Sequence, residues 1–424
     1  MSLFLQRLAT RHVYCQPFGR QLIVYGQWQD LSTEEINRLR KEKRLFAQCD
    51  TECYIMPLPW WLNAIALSEM ISDDCAQFGL FWLAPADLLP SSNQLHDLLN
   101  GLYHTFPLLD SHVAWSSEGP ELHIYATHPV HKPECLNRLH YPDTHAFIRH
   151  QLQHPHSVFK RGMLRLVRAR CGEEERWGIW LHHLIADADF MPHLLSRATA
   201  WLKTGVWPEP DLHFVQQIWK LNQLASSQHA RLQQFWRAQE AVFSQLMPLP
   251  QREMLPESIT QTFTLPDSPH TFTRIALALA KTLSQLNIPG PHLAVTPVTL
   301  RRTGQIACSG CYINLLPVLL DDGQDENRFE ILRQAWLEHA ALSQEEIASL
   351  SGVSYRQALV MINMVDISPE VSGFSQHPEL CSRKPITLTL MRTTTGSWQG
   401  NIVTRWGETF SKKLVVAFTQ ALTS

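Results

Sequence analysis

Segments patterned as short apolar strands alternate with segments patterned as amphipathic helices along nearly the whole chain, which limits the fold to the α/β class. In the first half, strand patterns fall at residues 79–83, 112–115, 121–126, 163–168 and 177–181, with helical spacing at 93–105 and after residue 189. The stretch 163–181 reads as a hairpin, two apolar runs separated by the polar turn 171–175. A long helical region at 215–246 and a Pro-rich stretch at 248–256 lead into a second half with the same grammar. There the expected strands are 260–265, 292–299, 314–320, 358–364, 386–391 and 400–406, and the expected helices are 272–286, 328–343 and 411–422. A chain of 424 residues, 45% of them hydrophobic, is large enough for two such halves. Residues 1–50 differ, with one short strand at 21–28 and a charged helix at 32–46 opened by Ser32-Thr33-Glu34-Glu35. The expected division is therefore an N-terminal extension (1–50), a first lobe (51–225) and a second lobe (226–424).

Composition removes several functions. A formal charge of −3 with scattered Lys and Arg gives no electrostatic footprint for nucleic acid. No apolar run approaches the ~20 residues of a membrane-spanning helix, and residues 1–11 do not resemble a signal peptide. Nine cysteines, an odd number spread from Cys15 to Cys381, point to a reduced, cytoplasmic setting rather than a disulfide scaffold. Cys308 and Cys311 have C-x-x-C spacing, but no second pair stands at ligand spacing, and Cys49 and Cys53 belong to another segment. They read as core cysteines, and His150, His154 and His156 as a solvated cluster, so no metal is expected.

The chemistry-bearing stretch is Trp177-Gly178-Ile179-Trp180-Leu181-His182-His183-Leu184-Ile185-Ala186-Asp187-Ala188-Asp189-Phe190. An apolar strand runs into two histidines, and an amphipathic helix follows, so the histidines sit on a strand-to-helix turn that projects from a rigid scaffold. Histidine there can move a proton near neutral pH, worth typically ~10²–10⁴-fold in rate. Asp187 or Asp189 could cap the following helix. A second role for Asp187 comes from the neighbouring strand, where Leu164 and Leu166 occupy one face and Met163, Arg165 and Val167 the other. A guanidinium in a strand buried on both sides requires a partner, and Asp187 is the expected one, holding the turn and His183 with it.

Gly162-Met163-Leu164-Arg165-Leu166-Val167-Arg168, a turn, a strand and then His-His-x-x-x-Asp resemble the condensation domains of non-ribosomal peptide synthetases. More broadly they resemble the acyltransferase superfamily that includes chloramphenicol acetyltransferase. The resemblance runs in order from about residue 54 to 424: a Pro-Leu opening motif at 54–62, a helix at 95–109, Phe235-Trp236 in the helix opening the second half, Thr299-Leu300-Arg301-Arg302, and Gly310-Cys311-Tyr312-Ile313-Asn314-Leu315-Leu316-Pro317. Two positions depart from the family. Ala188 replaces the glycine that ends the motif, and a φ > 0 turn would cost alanine energy that glycine avoids. The region 369–386 lacks an Asp-Phe-Gly-Trp-Gly motif, which suggests a divergent or free-standing member.

The resemblance implies two chloramphenicol acetyltransferase-like lobes forming a V-shaped pseudo-dimer with a central tunnel. It implies an acyl or peptidyl thioester presented on the phosphopantetheine arm of a carrier protein, an amine acceptor (free or carrier-bound), no bound cofactor, and a monomer acting in secondary-metabolite biosynthesis. His183 is then the catalytic residue, either as a general base or as a group stabilising the tetrahedral species. His182 is expected to pack under the turn, and Arg301 and Asn314 to line the tunnel or the lobe interface. An ester-forming relative with an alcohol acceptor and a catalytically silent carrier-protein platform remain as alternatives.

Overall fold

The hairpin read around the motif forms strands Leu164–Cys171 and Glu174–His182, paired antiparallel with Leu164 opposite Leu181. Alternating burial explains its place at the centre of a sheet: Leu164 and Leu166 face one apolar cluster, while Val167, Ala169 and Cys171 face another under helix Thr144–Gln153. The structure, a computed structural model, describes residues 3–18, 21–46, 53–71, 78–126, 134–154, 156–255, 257–265, 270–301, 308–365, 370–376, 384–393 and 397–423. Cys49, Pro256, Arg302 and Cys381, and residues 369 and 377–383 of the region 369–386, all used in the sequence reading, lie outside these.

Among the described residues there are two six-stranded sheets, one for each half of the chain. In the first, Gly79–Leu83 pairs antiparallel with Glu174–His182, and Glu134–Tyr141 lies parallel to Leu164–Cys171. In the second, Val360–Val365 and Ile386–Arg392 run parallel at the centre, with His292–Thr299 parallel to the former on one side and Trp398–Thr404 antiparallel to the latter on the other. Helices Phe272–Gln285 and Glu408–Thr423 pack against each other, and the second also covers strand Ile259–Leu265. A crossover joins the halves. Strands Glu370–Val371 and Phe374–Gln376, from the second half, extend the first sheet at the edge of Gly79–Leu83. Phe374 is fully buried there, edge-on to Trp177 at 5.5 Å.

The N-terminal segment contains helix Leu3–Ala9, the hairpin Val13–Phe18 with Gln21–Gly26, and helix Thr33–Phe46. Its small apolar cluster (Phe4, Leu5, Leu8, Val13, Leu39) is its own, and it docks through Gly26, whose N–H and C=O both bond the Gln216 side chain. Gln216 lies in helix His213–Ala238, which runs unbroken across residue 226. No helix among the described residues is long and apolar enough to cross a membrane.

Gly178 is the tightest point of the central strand. A Cβ there would stand 2.5 Å from the Phe81 ring and 2.7 Å from the Trp82 carbonyl oxygen, and backbone cannot yield as a flexible side chain can. Gly178→Ala is expected to lose about 1–3 kcal/mol of stability through overpacking. Urea unfolding checks this, and an unchanged midpoint would contradict it.

Candidate functional site

The motif turn is fixed before any side chain acts. The His182 N–H donates to Met163 O at 2.9 Å and the His183 N–H to Phe78 O at 2.8 Å, so the strand end is held from both neighbours. His182 is fully buried, as its expected packing role requires. The Leu184 N–H points at His182 Nδ1 at 3.0 Å, so Nδ1 accepts and the ring proton sits on Nε2. Nε2 is 2.5 Å from Glu69 Oε1, and Glu69 Oε2 accepts the Val158 N–H at 3.1 Å. Glu69, on helix Asn63–Ile71, thus locks the ring below the turn. Sequence reasoning passed over it. Its signal was a single acid among Leu67, Met70 and Ile71, but its partner is 113 residues away.

Asp187 is also fully buried, and its expected pairing with Arg165 is wrong. Arg165 lies on the Val167 face of its strand, under helix Thr144–Gln153, where its guanidinium stacks 4.5 Å from the Trp180 ring and donates to His154 O. Asp187 instead meets Arg301 from the second half. Arg301 Nη2 lies 2.9 Å from Oδ1 and 3.1 Å from Oδ2, and Nε lies 3.2 Å from Oδ2. Two backbone donors complete the carboxylate's shell, Phe190 N–H at 3.0 Å and Tyr312 N–H at 2.9 Å. Burial disfavours the Arg301 charge, and the Asp187 carboxylate more than reverses that effect, raising the guanidinium pKa above its ordinary value. Neighbouring Asp189 is pushed up, by burial first and then by the Asp187 charge.

Arg301 also binds the second-half loop, donating to Cys308 O and Gly310 O. That loop lies along the motif turn, with Gly310 bridged to Ala186. Asn314, by contrast, works inside the second half: its amide donates to Ala340 O and Leu342 O, both at 2.8 Å. The backbone at Ala188 does not enter the positive-φ region, so alanine carries no left-handed strain there.

Between the sheets lies a cleft of about 760 Å³ of empty space. The first half lines it with Trp82, His183 and Ala188, and the second with Asn363, Thr387 and Asn401. Among the described lining residues His183 is the one with an acidic or basic side chain, an imidazole that can take or give a proton. Cys311, read from sequence as a core cysteine, is buried but lies against this histidine, its Sγ 3.7 Å from Nδ1. Burial pushes the Cys308 thiol up to about 12, so it stays neutral. His150 and His154 stack on each other, and His156 meets Arg161 O.

Breaking a buried ion pair from one side costs about 3–5 kcal/mol. Asp187→Ala and Arg301→Ala are each expected to destabilise by that order, and the double variant by clearly less than their sum. Arg165→Ala should add independently to Asp187→Ala. A double-mutant cycle by urea unfolding checks both statements; coupling of Asp187 to Arg165 and not to Arg301 would contradict them.

No family model matches the sequence, and no curated protein does. Solved structures do. The condensation domain from Monacolin K polyketide synthase MokA has a TM-score of 0.68 at 11% identity, covering 87% of this chain and 97% of that one. A variant of the starter condensation domain of rhizomide synthetase RzmA, in complex with C8-CoA and Leu-SNAC, has a TM-score of 0.68 at 13% identity, covering 89% and 96%. The X-domain from teicoplanin biosynthesis has a TM-score of 0.66 at 16% identity, covering 87% and 95%. Over nearly its whole length, this chain has the fold of condensation domains.

Proposed function

We propose that the chain is a condensation-type acyltransferase that joins an acyl or peptidyl thioester to an amine at His183. The observation that carries this reading is the position of His183: on a turn fixed by both halves, it lines the cleft between the sheets as the one group among the described lining residues suited to proton transfer. A thioester is already activated, so the site's work is to align the amine with the carbonyl and to manage one proton. His183 takes that proton as the amine adds and returns it to the departing thiolate, leaving the amide. Asp187, Arg301 and Glu69 hold the turn and touch no reacting atom.

Two features support the donor and acceptor classes. The cleft is polar on its second-half wall, with Asn363, Thr387, Thr389 and Asn401, and apolar where Leu80, Trp82 and Met191 line it. The structurally similar starter condensation domain of rhizomide synthetase was solved in complex with C8-CoA and Leu-SNAC. The donor is accordingly assigned to the phosphopantetheine arm of a carrier protein, and the acceptor to an amine, free or carrier-bound. Both walls come from one chain, so a monomer suffices.

The test is mass spectrometry of products from acyl-loaded carrier proteins offered a panel of amines and alcohols. Amide product is expected from the wild type, and His183→Ala should lower its rate by roughly 10²-fold or more with an unchanged circular dichroism spectrum. Wild-type rate in His183→Ala would overturn the assignment. Ester products would move the acceptor to an alcohol, and carrier binding without any product would favour a recruiting platform.

A further inference from the structure

Cys311 stands beside His183 on a backbone that cannot easily move. The Gly310 carbonyl accepts from Arg301 Nη2 at 2.8 Å, the Cys311 carbonyl from Trp61 Nε1 at 2.8 Å, and the Tyr312 N–H donates to Asp187. Gly310, at φ 123°, turns the chain in a conformation that side-chain-bearing residues rarely adopt. Groups from three segments thus fix the backbone on either side of residue 311, and Cys311 itself is only 2% exposed. Its sulfur therefore has a defined place, 3.7 Å from His183 Nδ1.

A neutral imidazole carries one proton, and the partner of each nitrogen decides where it sits. If the thiol donated to Nδ1, the proton would sit on Nε2, and that edge could only donate. If Nδ1–H donates to the sulfur, Nε2 keeps its lone pair and can accept a proton. The proposed transfer must remove a proton from the attacking nitrogen, and no other described residue lining the cleft has an acidic or basic side chain.

We propose that Cys311 is a positioning residue for His183: its sulfur accepts the Nδ1–H and selects the tautomer whose Nε2 receives the amine proton. This rests on acyl transfer at His183. The proton passes from the attacking nitrogen to Nε2, then to the departing pantetheine sulfur. Cys311 forms no covalent bond and undergoes no net change. Loss of a carboxylate partner in a related arrangement costs ~10⁴-fold in kcat. Neutral sulfur is a much weaker acceptor, so a loss of roughly tenfold is expected here.

The test combines ¹⁵N NMR of the full chain, labelled in the histidine rings, with steady-state kinetics of wild type, Cys311→Ala and Cys311→Ser. The His183 signals are assigned by their absence from His183→Gln. Wild-type His183, neutral, is expected to be protonated on Nδ1. Cys311→Ala should shift the proton toward Nε2 and lower kcat about tenfold with the donor KM unchanged, and Cys311→Ser, which keeps an acceptor, should recover most of both. An Nε2-protonated wild type, or a Cys311→Ala variant with unchanged tautomer and kcat, would overturn the proposal. A wild type that makes no product would instead sink the acyl-transfer reading, while the ring spectrum still reports what Cys311 does to His183.

Discussion

The buried pair of Asp187 and Arg301 is the contact on which the rest of the site depends. Both side chains are almost wholly removed from water, and each comes from a different half of the chain. Burying two charges is expensive, and such a pair often gives little net stability over an apolar substitute. What it imposes is geometry. With two Arg301 nitrogens and two backbone N–H groups aimed at it, the carboxylate allows one arrangement of the motif turn against the second-half loop. That arrangement puts His183 into the cleft and Cys311 behind it.

A second buried pair supports the turn from below. Glu69 and His182 lie in the first half alone, and the Leu184 N–H settles which His182 nitrogen carries the proton. The two adjacent histidines are therefore separated by environment. His182 has both nitrogens committed to protein groups inside the core, whereas His183 is half-buried and borders the cleft. Ala188 fits the same picture. Its backbone stays out of the left-handed region, so the missing motif glycine leaves the turn unstrained and adds a methyl group to the cleft wall.

The parts of this fold that depend on local pattern were legible in the sequence. Strand Glu174–His182 is apolar from Trp177 to Leu181, and helix Phe272–Gln285 buries Ile275, Leu279 and Leu283 at helical spacing. Strand Glu134–Tyr141 was not, because its residues offer no alternation of apolar and polar positions. The expected helix at 328–343 ends earlier, as Glu326–Glu338, and a further helix, Gln344–Ser351, begins just past the expected span, opened by a Ser343–Glu346 capping box. At the site, sequence spacing chose Arg165 for Asp187 because it lies on an adjacent strand. The true partner is 114 residues away, and tertiary pairing of this kind leaves no local trace. Cys311 is the core cysteine its neighbours in sequence suggested, but its contact with His183 spans 128 residues and leaves no local trace.

The most direct test of acyl transfer at this meeting of two halves is a crystal structure with a hydrolysis-resistant acyl-pantetheine analogue. The account predicts the acyl carbonyl between the two sheets, with the His183 ring within about 3.5 Å of the place an attacking nitrogen would occupy. An analogue seated away from His183, for instance in the separate cleft lined by His193, Arg197 and Lys220, would contradict it.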